Sequence, residues 1–341
     1  MNVLVTGGAG YIGSHTCVEL LQQDMGVVVV DNLVNSSAKA IERVQQITGK
    51  HVDFYQKDVR DREAMHAIFD KHQIDCVIHF AGLKAVGESV AMPLEYYDNN
   101  LFSTVTLCEV MRDHGVKNIV FSSSATVYSG DNEMPLREAS RTGMCTNPYG
   151  WTKYMSEQIL RDTAKADEDW AIVLLRYFNP IGSHPSGIIG EMPNGVPANL
   201  IPYLTQTAIG IRPCLSVFGD DYDTPDGSCI RDFIYVLDLA KAHVAAMARI
   251  LEGKNTEPVE IYNVGTGKGV SVFELINTFE KCTGVKLNYK VAPRRPGDIE
   301  KVWGNVDKAN KVLGWKAVHT LEEALSSAWN WQKVLRERGI M

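Results

Sequence analysis

The sequence predicts a doubly wound α/β fold, a parallel sheet with helices on both faces, and a smaller α/β lobe beside it. Three observations support this prediction. Short β-branched segments alternate with helical ones through the first half of the chain, a glycine-rich turn joins the first strand to the first helix, and Gly and Pro become frequent after residue 179. Such alternation is typical of βαβ units, whose right-handed crossovers place ligands at the carboxyl ends of the strands.

The first half of the chain contains six predicted strands and four predicted helices. β-Branched runs bounded by turn residues indicate the strands, and apolar residues at helical spacing indicate the helices. The strands are Asn2–Thr6, Val27–Asp31, Val52–Gln56, Cys76–Phe80, Asn118–Ser122 and Ala171–Arg176. The helices are Gly13–Gln23, Arg62–Lys71, Leu101–His114 and Tyr149–Ala164.

The second half differs in composition. Residues 180–231 contain seven prolines and are predicted to be dominated by loops. Regular elements are predicted again at Val236–Ile250 (helix), Val259–Val264 (strand), Ser271–Thr283 (helix) and Leu321–Arg336 (helix). We expect residues 232–264 to pack back onto the sheet of a first domain, residues 1–179. Residues 180–231 and 265–341 then form the smaller lobe.

Composition excludes several classes of protein. A formal net charge of -7 argues against binding to nucleic acid or to acidic membrane surfaces. The seven cysteines are scattered without a C-x-x-C pair, which favours reduced thiols over disulfides or a zinc site. No apolar run approaches the roughly 18 residues of a membrane span, and no signal peptide is visible. We therefore expect a cytoplasmic protein without a bound metal.

The segment Thr6–Gly13 follows a predicted strand and opens a predicted helix. Gly8, Gly10 and Gly13 satisfy G-x-G-x-x-G, and Gly7, Gly10 and Gly13 also give the spacing G-x-x-G-x-x-G. Glycines there permit a tight turn and let a pyrophosphate approach the backbone, where free N–H groups at the helix N-terminus attract anions. The segment predicts a dinucleotide site.

Asp31 ends the second strand, 18 residues after Gly13, close to the spacing of about 20 expected for an acid that binds the adenosine ribose. A carboxylate repels a 2′-phosphate, and Asn32 and Leu33 follow rather than an arginine. NAD is therefore favoured over NADP. Asp58 is open to two interpretations, as a residue flanking the adenine or as a solvated turn acid, and His79 is interpreted as a structural strand histidine.

Tyr149 and Lys153 lie four residues apart, so that both point from one face of a helix. A phenol has an ordinary pKa of about 10, and a neighbouring ammonium favours the phenolate. The pair is suited to moving a proton in alcohol–ketone chemistry beside a nicotinamide. Ser124 follows the strand Asn118–Ser122 and is placed to hydrogen-bond the reacting oxygen.

With these residues in this order, the chain resembles the extended short-chain dehydrogenase/reductases, which have a Rossmann-type domain, and more specifically the UDP-glucose 4-epimerase family. The resemblance covers essentially the full length. It rests on His79–Val90, Pro93–Asn100, Phe121–Tyr128, Leu175–Pro180, Arg231–Asp232 and Ala292–Asp298.

The resemblance implies a mechanism. Tyr149, as phenolate, takes the proton of the sugar C4 hydroxyl while NAD accepts the C4 hydride, and the 4-keto sugar turns over and is reduced on its other face. Lys153 lowers the pKa of Tyr149 and holds the nicotinamide ribose, and Ser124 shares the proton path. The reaction is redox-neutral, so NAD stays bound. The family is usually a homodimer joined by the helices Leu101–His114 and Tyr149–Ala164.

The resemblance also implies the binding residues. Those for the cofactor are Gly7, Gly10, Tyr11, Ile12, Gly13, Asp31, Asn32, Asn35, Ser36, Asp58, Val59, Phe80, Ala81, Gly82, Lys84, Asn99, Ser124, Tyr149, Lys153, Tyr177 and Phe178. Those for the UDP-sugar are Lys84, Ser124, Tyr149, Phe178, Asn179, Asn199, Leu200, Leu215, Ser216, Phe218, Arg231, Phe233, Arg295, Asp298 and Val302. Guanidinium groups of Arg231 and Arg295 match phosphate oxygens, whereas Leu215 and Phe218 are also compatible with an ordinary strand.

Three differences from related enzymes bear on the reaction. Dehydratases of the superfamily carry an Asp-Glu pair, and decarboxylases a Glu, where this chain has Ala125 and Thr126. These rivals, and a noncatalytic nucleotide sensor that would lack Tyr149 or Lys153, therefore fit poorly.

Val302 stands where strict glucose/galactose members carry tyrosine, which leads to the hypothesis that 2-acetamido sugars are also accepted. Phe233 replaces a frequent tyrosine, which is a milder departure.

Overall fold

The computed structural model describes residues 1–295 and 298–340; Pro296 and Gly297, which belong to the stretch Ala292–Asp298, and Met341 lie outside the described residues. The strands are β1 (Asn2–Thr6), β2 (Gly26–Val30), β3 (Asp53–Tyr55), β4 (Cys76–His79), β5 (Asn118–Ser124), β6 (Ala171–Tyr177), β7 (Asn179–Ile181), β8 (Leu215–Phe218), β9 (Ile230–Arg231), β10 (Phe233–Tyr235), β11 (Val259–Val264), β12 (Val270–Ser271), β13 (Tyr289–Ala292) and β14 (Lys301–Val302). The helices are α1 (Tyr11–Gln22), α2 (Lys39–Thr48), α3 (Arg62–Lys71), α4 (Val86–Ala91), α5 (Pro93–Asp113), α6 (Pro148–Ala166), α7 (Leu200–Ala208), α8 (Val236–Leu251), α9 (Val272–Thr283) and α10 (Leu321–Glu337).

Seven parallel strands form the central sheet, in the order β11-β6-β5-β4-β1-β2-β3. Residues of the middle strands are almost fully buried, as expected where helices cover both faces of a parallel sheet. One apolar cluster lies between the sheet and α1 and α8, and a second lies between the sheet and α3, α5 and α6. The doubly wound fold predicted from the sequence is confirmed.

Within residues 232–264, α8 and β11 pack onto the same sheet, whereas β10 does not belong to it. The strand β11 pairs along β6 from Val259 opposite Ile172 to Val264 opposite Tyr177, and α8 packs against α1. A third apolar cluster joins α7, α9, α10 and strands β8 and β10 in the other lobe. Two-stranded sheets pair β10 with β7 and β13 with β8, and a three-stranded sheet has the order β12-β9-β14.

Several predicted boundaries change. Residues 180–231 are not simply loops, because they contain α7 and β8 and β9. The helix predicted from Leu101 begins at Pro93. Proline is favoured at the first helical position, because an N–H there would have no acceptor within the helix. The sequence analysis missed α2 and α4. No helix in residues 1–295 and 298–340 is long and apolar enough to span a membrane.

Candidate active site

A cleft of about 510 Å³ opens at the carboxyl edge of the central sheet. Nineteen of the predicted cofactor residues line it: Gly7, Gly10, Tyr11, Ile12, Gly13, Asp31, Asn32, Asn35, Ser36, Asp58, Val59, Phe80, Ala81, Gly82, Lys84, Asn99, Tyr149, Lys153 and Tyr177. Ser124 and Phe178 are outside its lining. Topology explains the convergence, since the loops after β1, β2, β4 and β6 all leave the sheet at this edge.

The glycine loop between β1 and α1 packs too closely against the backbone for side chains at Gly7 and Gly13. Gly7 has a φ of 71°, and a Cβ there would lie 2.7 Å from the Ala81 nitrogen. A Cβ on Gly13 would lie 2.4 Å from the Gly7 oxygen. Gly10 caps α1 without a side-chain hydrogen bond, so that the first N–H groups of the helix remain available to an anion. These features fit a dinucleotide pyrophosphate.

Asp31 lies just after β2 and is only 6% exposed. One carboxylate oxygen accepts a hydrogen bond from the Ala9 N–H (3.0 Å), and the other accepts from the Leu33 N–H (2.9 Å) and the Ser36 hydroxyl (2.7 Å). These contacts fold the loop after β2 around the acid and fix a negative charge at the expected ribose end of the cleft. An acid held there disfavours a ligand with an additional phosphate at that position.

The Asp58 carboxylate is held by hydrogen bonds from neighbouring side chains and is not a simple solvated turn acid. The Asn32 amide donates to it at 3.0 Å, and Arg60 Nη2 lies 2.9 Å from its carboxylate. The hydrogen bond from Arg60 lowers the pKa of Asp58 to about 2. His79 is structural in its environment: its Nδ1 lies 2.7 Å from the Thr6 hydroxyl, and burial lowers its pKa to about 3.

The start of α6 positions the proposed proton-transfer residues. Asn147 caps the helix by accepting from the Gly150 N–H (2.9 Å), and Pro148 occupies the first turn. Tyr149 and Lys153 therefore lie one turn apart, with exposures of 7% and 6%. The Lys153 ammonium donates to the Ser122 carbonyl at 2.8 Å and lies 4.9 Å from the Phe121 ring centre.

The pKa of Tyr149 is raised well above its ordinary value, chiefly by burial, with Tyr177 adding and a hydrogen bond with Ser124 opposing. Burial lowers the pKa of Lys153 to about 8, with Glu157 opposing. The expected lowering of the Tyr149 pKa by Lys153 is not among these influences and stays a prediction. Desolvation of the phenol dominates, and the ammonium is engaged with the Ser122 carbonyl.

A buried ion pair lies beside the strands and the helix that carry the proposed proton-transfer residues. Arg176 and Glu157 have side chains 2% exposed and form two hydrogen bonds of 2.8 and 2.6 Å. Glu157 also accepts from the Ser123 hydroxyl at 2.6 Å. Because Ser123 precedes Ser124 and Arg176 precedes Tyr177, the pair ties β5, β6 and α6 together at the reacting end.

The predicted UDP residues of the second lobe form a separate group. Asp298 lies 3.7 Å from Arg231 and accepts from Arg295 at 2.9 Å, and the Arg295 guanidinium lies 4.9 Å from the Phe218 ring centre. Leu215, Ser216 and Phe218 lie on β8, Val302 pairs with Arg231 across β14 and β9, and Phe233 pairs with Asn179 across β10 and β7.

Two further predicted residues mark the entry to α7. Asn199 precedes the helix, Leu200 is its first residue, and of these only Asn199 lines the cleft. Val302 packs into a small cluster with Phe178, Val127 and Leu136. Val127 of this cluster lies three residues after Ser124, the last residue of β5, and the place of Val302 beside the sugar stays a prediction.

Sequence reasoning missed several residues of the cleft. They include Arg43, Lys57, Glu191 and Trp331. Arg43 lies on α2, which the sequence analysis did not predict. Glu191 lies within the proline-rich stretch, where no local motif distinguishes it, and Trp331 reaches the cleft only through the packing of α10.

Comparisons with known proteins agree with this geometry. Residues 3–265 match the model of the NAD dependent epimerase/dehydratase family. The chain is 56% identical to UDP-glucose 4-epimerase of Bacillus subtilis, over 97% of each chain.

Two solved structures are similar over nearly the whole fold. UDP-glucose 4-epimerase of Bifidobacterium longum, in complex with NAD+ and UDP, has 55% identity and a TM-score of 0.94 over 98% of each chain. The Stenotrophomonas maltophila enzyme, with bound NAD and a formylated UDP-arabinopyranose, has 48% identity and a TM-score of 0.96 over 99% of each chain. The chain therefore belongs to the NAD-dependent epimerase/dehydratase family and, within it, to the UDP-glucose 4-epimerases.

Proposed function

We propose that this enzyme interconverts UDP-glucose and UDP-galactose by inverting C4 through a transient 4-keto sugar, with NAD retained in the cleft. One observation carries the proposal. A buried tyrosine, with a lysine one turn away and Ser124 at the end of β5, lies at the carboxyl edge of a sheet whose glycine loop and acid fit a dinucleotide. The family membership narrows this alcohol–ketone chemistry to epimerisation.

The residues that would hold NAD are those of the glycine loop, Asp31 at the adenosine ribose, and Lys84, Tyr149, Lys153 and Tyr177 toward the reacting end. When bound there, NAD supplies a hydride acceptor and donor for C4.

Thr126 adds no acid or base beside the reacting centre, because its hydroxyl donates to Ser124 at 3.0 Å. Neither Thr126 nor Ala125 can eliminate water, which separates this site from that of a dehydratase.

Tyr149 takes the proton of the C4 hydroxyl and later returns it. Its burial excludes water but makes ionisation costly, so the phenolate depends on nearby positive charge and on Ser124. Lys153 supplies a cation within the same buried region. Ser124 already accepts from the Thr126 N–H at 3.2 Å, an orientation that leaves its own hydrogen for the phenol or the sugar oxygen.

We further propose that the second lobe holds the UDP group. A sugar that turns over within the site is held loosely, so affinity must come from the nonreacting nucleotide. The pairing of Arg231 and Arg295 with Asp298 keeps two guanidinium groups beside each other for a diphosphate. In this division, residues 1–179 with 232–264 form the NAD-binding domain, and residues 180–231 and 265–341 form the substrate lobe.

The proposed function is tested with purified protein and UDP-galactose, without added NAD. Formation of UDP-glucose, followed by chromatography, is the expected result, because the redox-neutral reaction regenerates its cofactor in place. Accumulation of NADH, or release of a 4-keto-6-deoxy sugar, would contradict the proposal while leaving the fold unaffected.

Replacing Val302 with tyrosine is expected to suppress conversion of UDP-N-acetylglucosamine to UDP-N-acetylgalactosamine while sparing the glucose reaction. We propose that the unaltered enzyme accepts both classes, because the half-buried Val302, which packs against the cluster of Phe178, is smaller than a tyrosine ring at that position. Initial rates on both substrates measure the effect. No acetamido product after prolonged incubation of the unaltered enzyme would refute the hypothesis.

The pH dependence should reveal the role of Lys153. With its pKa lowered to about 8, Lys153 loses its proton as pH rises through that value, and with it the cation that favours the Tyr149 phenolate. The kcat/KM of the unaltered enzyme is therefore expected to fall above about pH 8. The Lys153→Met variant should turn over more slowly, and its kcat/KM should not fall above about pH 8. Its Tyr149 should ionise only at higher pH. Parallel profiles for the two proteins would exclude this role.

We also propose that the enzyme is a cytoplasmic homodimer joined through α5 and α6. These helices pack against each other, and the exposed apolar side chains Met92 (44%), Leu94 (77%) and Phe102 (57%) lie on or beside α5. All seven cysteines are free thiols, as in a reducing compartment. Light scattering should give about twice the chain mass of 37.8 kDa; a monomer at all concentrations would exclude the dimer.

A further inference from the structure

Residues 189–199, here called the strap, connect the second lobe to the dinucleotide cleft and form part of its wall together with the glycine loop. Glu191 is the most heavily bonded residue of the strap. Its carboxylate lies 3.0 Å from the Lys84 ammonium and accepts from the Asn199 amide at 2.6 Å. Its backbone carbonyl accepts from the Trp331 indole N–H at 2.9 Å. The Glu191 side chain is only 11% exposed.

The strap joins parts of the molecule that are distant in sequence. Lys84 follows β4 in the first domain, whereas Asn199 precedes α7 and Trp331 lies on α10 in the second lobe. Nearby, the Tyr11 hydroxyl donates to the Gly182 carbonyl at 2.6 Å, and the Arg43 guanidinium lies 5.4 Å from the Trp331 ring centre. The two lobes are therefore linked along the cleft, and Glu191 carries the ionic link.

We propose that Glu191 is a positioning residue that fastens the strap over the dinucleotide cleft and thereby slows the release of NAD. This inference rests on the proposed function, in which the cofactor returns to its starting state in every turnover and has no need to leave. Because the strap lines the cleft together with the glycine loop, movement of the strap away from Lys84 widens the path by which a ligand there leaves. Breaking the Lys84–Glu191 link makes that movement easier.

The size of the effect follows from the exposure of the pair. Lys84 is 52% exposed, so water and salt screen its attraction to Glu191. Replacing Glu191 with glutamine preserves the shape and the acceptor for Asn199 but removes the charge. The expected result is release of NAD that is about two- to fivefold faster, the range typical of a partly exposed ion pair.

A role for Glu191 in competing with the cofactor for Lys84 predicts a change in the rate of NAD release of the opposite sign. If the carboxylate competed with a cofactor phosphate for Lys84, its removal would free the ammonium and slow the release of NAD. Measuring the dissociation rate therefore separates fastening from competition, which activity alone does not.

The experiment loads purified holoenzyme with radiolabelled NAD, adds excess unlabelled NAD, and follows the label retained on the protein. Glu191→Gln is compared with the unaltered enzyme and with Glu280→Gln as a matched control. Glu280 has a similar side-chain exposure (14%), pairs with Lys286 at 2.6 Å, and lies on α9 away from the cleft. Faster release in Glu191→Gln alone is expected, together with activity that declines on dilution and returns when NAD is added.

Equal or slower release in Glu191→Gln would overturn the inference while leaving the proposed function intact. Unaltered protein that binds no dinucleotide would overturn both. Thermal melting shows whether the glutamine variant is folded. A second variant, Glu191→Asp, keeps the charge but draws it back by one methylene group, and it should release NAD at a rate between those of the unaltered enzyme and Glu191→Gln.

Discussion

Replacing Tyr149 with phenylalanine is expected to lower kcat by about 100- to 10,000-fold, the range that a well-placed general acid–base contributes. The ring and its packing are kept, and only the hydroxyl that exchanges the C4 proton is lost. Because we assign UDP affinity to Arg231, Arg295 and their neighbours, the dissociation constant of UDP should be nearly unchanged. Steady-state rates with UDP-galactose and calorimetric titration with UDP measure the two quantities.

The matched control for this variant is Tyr262→Phe. Tyr262 is also a fully buried tyrosine, and its hydroxyl donates to Glu260 at 2.8 Å on β11, at the edge of the central sheet. It should retain turnover close to that of the unaltered enzyme. Near-normal turnover in Tyr149→Phe would remove the phenol from the mechanism, and a parallel loss in both variants would indicate a general structural effect.

Replacing Arg176 with methionine is expected to lower the free energy of unfolding by about 3–5 kcal/mol, because it removes the buried cation that makes two hydrogen bonds to Glu157. The Glu157 side chain has few other donors, chiefly the Ser123 hydroxyl and the more distant Arg161. Denaturation by urea, followed by circular dichroism, measures the change. The surface variant Lys286→Met, whose lysine is 89% exposed, should change the unfolding midpoint little.

A double variant separates loss of packing from loss of charge balance. Arg176→Met combined with Glu157→Gln removes both charges and should be more stable than the sum of the single effects predicts. If Arg176→Met were no less stable than Lys286→Met, the buried pair would not support the fold. Because the pair braces Ser123 and β6, loss of activity is expected to accompany loss of stability.

Local sequence was informative where chemistry depends on neighbours along the chain. The glycine spacing identified the turn between β1 and α1, because a tight turn and a close helix–strand approach exclude side chains at Gly7 and Gly13. The spacing of four placed Tyr149 and Lys153 on one face of a helix. Boundaries were less certain: α5 begins at Pro93, eight residues before the prediction.

Electrostatic environment was not predictable in the same way. The sequence suggested that Lys153 lowers the pKa of Tyr149, but it did not indicate that burial of the phenol raises that pKa. Burial is a property of the packed site, and the Ser122 carbonyl that receives the ammonium lies 31 residues away. The role of Asp58 likewise depended on Arg60 and Asn32, which the sequence analysis had not paired with it.

The sequence by itself determined the doubly wound sheet, the dinucleotide loop, the acid at its end and the tyrosine–lysine pair, because each follows from local periodicity or short spacing. Only the tertiary structure decided what encloses them. Lys84 meets Glu191 across 107 residues, and Trp331 meets Glu191 across 140. Such contacts arise when separate elements pack around a shared core, and no repeat or motif along the chain encodes which side chains then face one another.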